Sequence, residues 1–372
     1  MSPRPFTCYE FFAGGGMARL GLGERWNCLF ANDLDPLKAR TYRANFGGEH
    51  LLEGDIWRVE PSGLPGRADL AWASSPCQDL SLAGARQGLG GARSSAYWGF
   101  HRLMAGLAAD GRAPSILVVE NVVGLLSSRD GADFAALGRS LADLGYRFGA
   151  LEIDAAHWLP QSRPRAFVVA TTLPVRGPEG TPAASSRVRA AFDRLPAALG
   201  DPWVWWRFDP PRRRNASLAD VLEPDSAVDW FATDRTDRLL DLMAPLHRQR
   251  LEAAASKGRA VGALYRRVRV EGGRKAQRAE VRFDGLAGCL RTPAGGSSRQ
   301  VVVVADGGEV RARHLTAREG ARLMGLPEDY RLPGAATAAL KVLGDGVAAP
   351  VVRALAEQIL EPLLDGAAQA AA

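Results

Sequence analysis

Cysteine is scarce in this sequence of 372 residues, and its pattern excludes two kinds of structure. The four cysteines, Cys8, Cys28, Cys77 and Cys289, are spaced neither as a disulfide framework nor as a zinc site. We therefore expect no bound metal and a reducing, cytoplasmic environment. Long hydrophobic runs are also absent, and residues 1–5 lack the apolar core of a signal peptide, so we expect no membrane association.

Acidic residues are slightly outnumbered by basic ones, 41 against 47, which gives a formal net charge of +6. This balance permits a polyanionic partner without requiring one, since a GC-rich genome can also produce an arginine-rich composition. The length allows a large core and two domains, and the composition is that of an ordinary globular protein.

A glycine-rich turn follows the first predicted strand, residues 6–12. Gly14, Gly15 and Gly16 lie where this strand passes into a helix, and glycines there let a ligand approach the free N–H groups of the helix N-terminus. They do not form the spaced G-x-G-x-x-G fingerprint, so a tight turn without a ligand is the alternative.

Two carboxylates follow the next predicted strands. Asp33 ends the strand of residues 26–32, where a carboxylate can accept hydrogen bonds from the ribose hydroxyls of a nucleoside. Asp35, which precedes a proline, is explained more simply as a helix N-cap. Asp55 ends a short third strand, residues 51–56, and could meet an adenine amino group.

A cysteine and a glutamate follow two further buried strands. Cys77 comes after the apolar run 69–73, and Glu120 comes directly after residues 116–119. A thiol at the carboxyl edge of an open α/β sheet is a candidate nucleophile, although a structural thiol is the usual explanation. A glutamate after four apolar residues is poorly explained as a solvated charge. Residues 78–91, rich in glycine, predict a connector or a lid over the site.

Beyond residue 171 the alternation of strands and helices is lost, which predicts a linker and a second domain of irregular or β structure. Residues 259–282 are basic and alternate in polarity like an exposed ribbon, which suits a nucleic-acid face. A solvated surface explains this stretch, and also residues 212–214, equally well. The tryptophans of residues 203–206 are more typical of a small domain's core than of a base-stacking platform.

Together these segments resemble the DNA cytosine-5 methyltransferase family over nearly the whole chain, apart from residues 171–290. Each motif alone is common, but their order along the chain is specific. The motifs are Phe12-Ala13-Gly14-Gly15-Gly16, Asp33, Gly54-Asp55-Ile56, Pro76-Cys77-Gln78, Glu120-Asn121-Val122, Gln161-x-Arg163-x-Arg165, Leu315-Thr316-Ala317-Arg318-Glu319 leading to Met324-Gly325-Leu326-Pro327, and Gly344 to Val347.

The resemblance implies an α/β fold, a class I methyltransferase with a Rossmann-like, mostly parallel sheet and a second, smaller target-recognition domain. It divides the chain into three segments. Residues 1–175 would bind S-adenosylmethionine and carry the catalytic site, residues 176–310 would recognise the target, and residues 311–372 would return to the catalytic domain.

The resemblance also assigns catalytic roles. Cys77 would add to carbon 6 of a flipped-out cytosine, and the resulting enamine would take the methyl group of S-adenosylmethionine on carbon 5. Glu120 would hold N3 and the exocyclic amine, which requires a carboxyl pKa raised by burial. Gln78 would begin the loop that closes over the base.

Three further residues would support this chemistry. By the resemblance, Arg165 contacts the carbonyl oxygen of the base and Arg163 helps to fix Glu120. Asn121 is expected to hold the turn between Pro76 and the cysteine.

The residues implied to bind S-adenosylmethionine, or its product S-adenosylhomocysteine, lie after the first strands and within the last motif. They are Phe12, Ala13, Gly14, Gly15, Gly16, Asp33, Leu34, Asp55, Ile56, Ser75, Pro76, Asp345, Gly346 and Val347. Asp345 lies where the family usually has asparagine. Because its carboxylate could attract the donor's ammonium group or repel its carboxylate, donor affinity and even donor identity stay open.

The implied partner is double-stranded DNA, read by a monomer, with a separately acting restriction endonuclease as an optional companion. Two alternatives remain: a transfer-RNA methyltransferase of the same family and a catalytically idle DNA-binding regulator. The intact Cys77, Glu120 and Arg165 argue against the regulator. The length of residues 171–290 favours a duplex over transfer RNA.

We predict that Cys77→Ser abolishes methylation and leaves cofactor binding nearly intact, because the thiolate is the nucleophile and takes no part in holding the donor. Methyl transfer from labelled S-adenosylmethionine and a binding titration measure the two effects separately. Full turnover by this variant would disprove the assignment of the nucleophile.

Overall fold

The computed structural model describes residues 4–76, 95–175, 184–292 and 299–371. The chain forms two compact units. Unit 1 comprises Met1–Asp154, Pro164–Pro210 and Gly346–Ala372, and unit 2 comprises Ala155–Arg163 and Pro211–Asp345.

The strands form one sheet in each unit. In chain order they are β1 (Phe6–Phe11), β2 (Trp26–Asp33), β3 (Leu51–Glu53), β4 (Leu70–Ser74), β5 (Ile116–Val122), β6 (Arg147–Asp154), β7 (Pro164–Thr171), β8 (Ala260–Glu271), β9 (Arg274–Arg282), β10 (Val301–Asp306) and β11 (Glu309–His314).

The helices cover these sheets. They are α1 (Met17–Leu22), α2 (Pro36–Phe46), α3 (Ser95–Ala109), α4 (Ala132–Asp143), α5 (Ser186–Asp193), α6 (Thr233–Asp241), α7 (Pro245–Ala255), α8 (Ala317–Leu323), α9 (Ala336–Asp345), α10 (Ala349–Leu355) and α11 (Glu361–Ala371). Among the described residues, no helix combines the length and apolar character that a membrane span requires.

The sheet of unit 1 has the strand order β3-β2-β1-β4-β5-β7-β6. Strands β1 to β5 pair in parallel, whereas β7 runs antiparallel to both β5 and β6. The predicted α/β fold with a mostly parallel sheet is therefore confirmed. Because the central strands are covered on both faces, they read as continuous apolar runs in the sequence.

The tryptophans of residues 203–206 lie in unit 1, not in a small second domain as their composition suggested. Trp203 is buried, with its ring centroid 5.6 Å from that of Phe148 and 5.2 Å from that of Phe192. The backbone of Val204 donates to the carbonyl of Phe148 at 2.7 Å. This pairing extends unit 1 to residue 210, past the domain boundary predicted at residue 175. The prediction missed it because an aromatic cluster in the sequence does not encode which core will bury it.

The C-terminal segment joins unit 1 from Gly346, whereas residues 311–345 lie in unit 2. Helix α10 approaches α1 so closely that a Cβ atom at Gly21 would lie 2.5 Å from the Cβ of Val352. Glu361 is buried and accepts hydrogen bonds from Trp26 Nε1 at 3.0 Å and from Arg25 at 2.7 Å. Glu361 thus connects the start of α11 to the start of β2.

Unit 2 contains an antiparallel sheet in the order β11-β10-β8-β9. Its core includes Leu239 on α6, Met243 just after that helix, and Leu264 and Val303 on the sheet. Thr316 and Glu319 form a capping box, because they exchange hydrogen bonds at the start of α8.

A buried ion pair joins the end of β11 to α8. Arg313 and Glu319 have side chains only 1% and 0% exposed, and their closest N···O distance is 2.6 Å. Glu319 also accepts the backbone N–H of Glu223 at 2.8 Å. This carboxylate therefore holds three segments of unit 2 together.

We predict that Glu319→Ala destabilises the protein by about 3–5 kcal/mol, because it leaves the Arg313 guanidinium buried without its charge partner. Glu328→Ala is the matched control, since Glu328 pairs with Arg322 at 2.7 Å but its side chain is 64% exposed. Removing it should cost far less, because the pair is exposed to solvent and screened. Equal losses of the free energy of unfolding in urea would contradict the importance of the buried pair.

Candidate active site

The turn after β1 adopts a strained backbone. Phe12 has a φ of 57°, which is uncommon for a residue other than glycine, and Gly14 and Gly16 follow with φ values of 59° and 79°. A Cβ atom at Gly16 would lie 2.4 Å from the ring of Phe46, whereas one at Gly14 would have no heavy atom within 4 Å. The backbone is therefore packed on one side of the turn and open to a ligand on the other.

Asp33 fixes this turn to the end of β2. Its carboxylate accepts the N–H of Gly14 at 2.8 Å and the N–H of Asp35 at 2.8 Å. The side chain is buried, and burial raises its pKa above the ordinary value for aspartate. The adjacent Leu34 is 67% exposed, so an apolar surface lies beside a polar acceptor at the same strand end.

Asp35 is the N-cap of α2, as predicted, with its side chain accepting the N–H of Leu37 at 2.9 Å. Asn32 was missed in the sequence, although an asparagine inside an apolar strand is a signal. Its side-chain amide donates to the carbonyls of Leu52 at 3.0 Å and Gly54 at 2.9 Å. It therefore fixes the chain just before Asp55.

Asp55 caps the short helical turn that follows β3, accepting the N–H of Trp57 at 3.0 Å. The side chain of Ile56 is buried in the core of unit 1, which leaves only its backbone for contact with a ligand. Trp57, not Ile56, carries the exposed side chain at this position.

The ends of β4 and β5 are joined by a buried amide. Asn121 donates to Ser75 Oγ at 2.9 Å and to the carbonyl of Ser75 at 3.3 Å. This contact fixes the backbone immediately before Pro76. Cys77, Gln78 and the predicted loop of residues 78–91 lie outside the described residues.

Glu120 and Arg165 meet across the antiparallel pairing of β5 and β7. The distance between Arg165 Nε and Glu120 Oε1 is 3.2 Å, and both side chains are largely buried. The strand register places Ser74 beside Glu120 and Val122 beside Arg165. A carboxyl group and a guanidinium thus lie next to the end of β4, the strand that leads to the cysteine.

Arg163, predicted to help fix Glu120, belongs to unit 2, where it is buried. It donates to the carbonyls of Leu290 at 2.9 Å and Gly344 at 2.7 Å, and to Cys289 Sγ at 3.2 Å. These contacts hold the chain that leads into Asp345.

The last motif is closely packed. Asp345 accepts a hydrogen bond from the hydroxyl of Thr292. A Cβ atom at Gly346 would lie 2.2 Å from Met17 Sδ, and Val347 is buried. A side chain at position 346 would therefore have to displace the buried Met17 side chain, which follows the glycine-rich turn.

The edge of unit 1 fits a nucleoside more closely than a metal ion. It combines open backbone at Gly14, the buried acceptor Asp33 and the exposed Leu34. Within the described ranges, no three His, Cys, Asp or Glu side chains are grouped to hold a metal. A nucleoside needs an apolar surface for its base beside an acceptor for its ribose hydroxyls.

The family described as C-5 cytosine-specific DNA methylase matches residues 6–361 of this chain. Among curated relatives, the chain is 26% identical to the type II methyltransferase M1.ScrFI of Lactococcus lactis subsp. cremoris, over 96% of this chain and 79% of that protein. It is 25% identical to the type II methyltransferase M.HhaI of Haemophilus parahaemolyticus, over 94% of this chain and 93% of that protein.

Two solved structures share the fold. The Dnmt2 methyltransferase of S. pombe aligns with a TM-score of 0.60 at 17% identity, covering 96% of this chain and 99% of that one. The methyltransferase EhMeth of Entamoeba histolytica aligns with a TM-score of 0.65 at 14% identity, covering 97% and 99%.

We predict that Asn121→Ala lowers the free energy of unfolding by about 1–3 kcal/mol, because it removes the buried donor that Ser75 uses. Ser75→Ala is the matched control, since it removes the hydroxyl but leaves the bond from Asn121 to the carbonyl of Ser75. The control should lose less in urea unfolding. A larger loss in the control would show that the amide does not join the two strands.

Proposed function

This chain belongs to the C-5 cytosine-specific DNA methylase family and methylates carbon 5 of cytosine in DNA, and from that premise we propose how its residues do so. The observation that carries the proposal is the pairing of Glu120 and Arg165 beside the end of β4. It supplies a carboxyl group for the ring nitrogen of a pyrimidine next to the strand that leads to Cys77.

We propose S-adenosylmethionine as the methyl donor, held at the carboxyl edge of unit 1. When bound, it supplies an electrophilic methyl group on sulfur. Asp33 would accept the ribose hydroxyls while its existing bonds fix the glycine turn, and Leu34 would cover one face of the adenine. The open backbone at Gly14 allows the donor to approach closely.

Cys77 would act as the nucleophile. Its thiolate would form a bond to carbon 6 of cytosine, and the electrons of the C5=C6 double bond would move onto the ring, making carbon 5 nucleophilic. Carbon 5 would form a bond to the methyl group as the bond from that group to sulfur breaks, which leaves S-adenosylhomocysteine. Loss of the carbon-5 proton to water would then restore the C5=C6 double bond and expel the Cys77 thiolate. Glu120 would bind N3 and stabilise the electron-rich ring by partial proton donation, and Arg165 would orient the carboxyl group.

We propose that unit 2 recognises duplex DNA. Beyond Leu264, strand β8 continues in a hairpin with β9 after its pairing with β10 has ended. Val268 and Val270 are 63% and 71% exposed on this ribbon. Its basic residues are Arg266, Arg267, Arg269, Arg274, Lys275 and Arg278. A two-stranded ribbon of this charge suits the major groove, where exposed valines can contact thymine methyl groups.

The type II methyltransferases to which the chain is similar suggest a role in restriction and modification, or as a methyltransferase without a paired endonuclease. Either role requires a fixed sequence context around the methylated cytosine.

Transfer of labelled methyl groups from S-adenosylmethionine to duplex DNA and to transfer RNA tests the proposal, followed by bisulfite sequencing of the DNA. We expect label in duplex DNA at one sequence context. Glu120→Gln should lower kcat by about 10²–10⁴-fold, because it removes the acid but keeps the shape. Cys289→Ser serves as the control for Cys77→Ser. Label confined to transfer RNA, or unchanged turnover by Glu120→Gln, would refute the assignment.

A further inference from the structure

Basic side chains gather at one end of the sheet in unit 2. Leu264, Val301 and His314 lie in one row across β8, β10 and β11, and paired residues of antiparallel strands share a face. Arg266 lies two residues further along β8 on that same face, and Arg299 lies two residues before the start of β10, at the same end of the sheet. The side chains that follow the apolar core at this end of the sheet are therefore cationic.

A residue at the α6 helix completes the group. Arg235 Nη2 lies 3.0 Å from His314 Nε2. The guanidinium of Arg235 stacks on Phe231, 3.5 Å from the ring centroid, and Phe231 packs edge-on against His314 at 4.8 Å. Phe231 thus fixes the position of both basic side chains.

His314 is the neutral member of this group. Burial, together with the charges of Arg299, Arg235 and Arg266, lowers the pKa of His314 to about 4 against an opposing effect of the Gln300 backbone. Its Nε2 atom accepts from Arg235, so the ring proton of the neutral tautomer belongs to Nδ1. That buried atom makes no hydrogen bond of normal geometry.

The three arginines have no acidic partner. Among the described residues, no carboxylate lies within 4.0 Å of Arg235, Arg266 or Arg299, and the buried Nε of Arg299 makes no hydrogen bond. Residues 293–298 contain no acidic side chain either. Other arginines of unit 2 are paired: Arg259 and Arg311 share Asp225. Like charges held together without a counterion destabilise a fold.

We propose that Arg235, Arg266, Arg299 and His314 form an anion site that holds one phosphate group of the DNA backbone. The proposal rests on the proposed duplex substrate. A guanidinium offers two parallel N–H donors to phosphate oxygens, and the neutral imidazole adds a donor without adding charge. Free inorganic phosphate has the same chemistry and is the simplest probe.

The first experiment measures melting of the full-length protein in inorganic phosphate and in chloride at equal ionic strength. Wild-type protein should melt higher in phosphate, by on the order of 2–4 °C at concentrations several times the Kd. Arg299→Gln should lose this difference. Arg238→Gln is the matched control. Arg238 lies on α6, as Arg235 does, but it is exposed and pairs with Asp234 at 2.9 Å. It should keep the difference.

Arg299→Gln should also melt higher than wild type in low-salt chloride, since it removes repulsion within the cluster. Should this variant fail to fold, Arg266→Gln replaces it with the same expected outcome. A wild-type protein that melts equally in phosphate and chloride would overturn the anion site.

The second experiment assigns the source of the phosphate. The logarithm of duplex affinity is plotted against the logarithm of salt concentration. Arg299→Gln should reduce the slope by about 1. Arg238→Gln, which removes the same one charge, is the comparison. Phosphate-dependent melting with an unchanged slope would identify a site for free phosphate and refute the DNA contact. A wild-type protein that neither binds nor methylates duplex DNA would refute the proposed function, while the melting result would still decide whether the anion site exists.

Discussion

The candidate active site depends on one buried interaction, the ion pair between Glu120 and Arg165. It exists because β7 runs antiparallel beside β5 and so brings an arginine from the start of one strand to a glutamate near the end of the other. A buried carboxylate and a guanidinium each carry a large desolvation cost, which is offset only when both are present in good geometry. The strand reversal is thus the constraint that holds a buried carboxyl group beside the end of β4.

Buried polar side chains serve two purposes at this edge. Asp33, Asn32 and Asn121 all bond to backbone groups of neighbouring strand ends. Each satisfies N–H or carbonyl groups that loops would otherwise leave unpaired. The same bonds fix the loops against which a nucleoside would bind. Structural and functional roles are therefore not alternatives for these residues, and an aspartate bonded to two N–H groups can still accept from a ligand.

The arginines of unit 2 fall into two groups that charge counting alone does not separate. Arg313 is neutralised inside the fold by Glu319, whereas Arg299 and Arg266 lie at one end of the sheet and pair with no carboxylate among the described residues. In the first arrangement the two charges offset each other's desolvation cost without an outside partner. The second is costly until an anion arrives, which makes it suited to a polyanionic partner.

The sequence by itself determined what depends on local pattern. Apolar runs specified the strands, and the caps at Asp35 and Thr316 followed from side chains that bond within three residues. Which strands become neighbours was decided only in the tertiary structure. Arg163 contacts Gly344 and Trp203 packs in unit 1 because partners separated by tens of residues meet only when strand order and register are set. Local periodicity carries no information about that order, so the site's pairings required the fold.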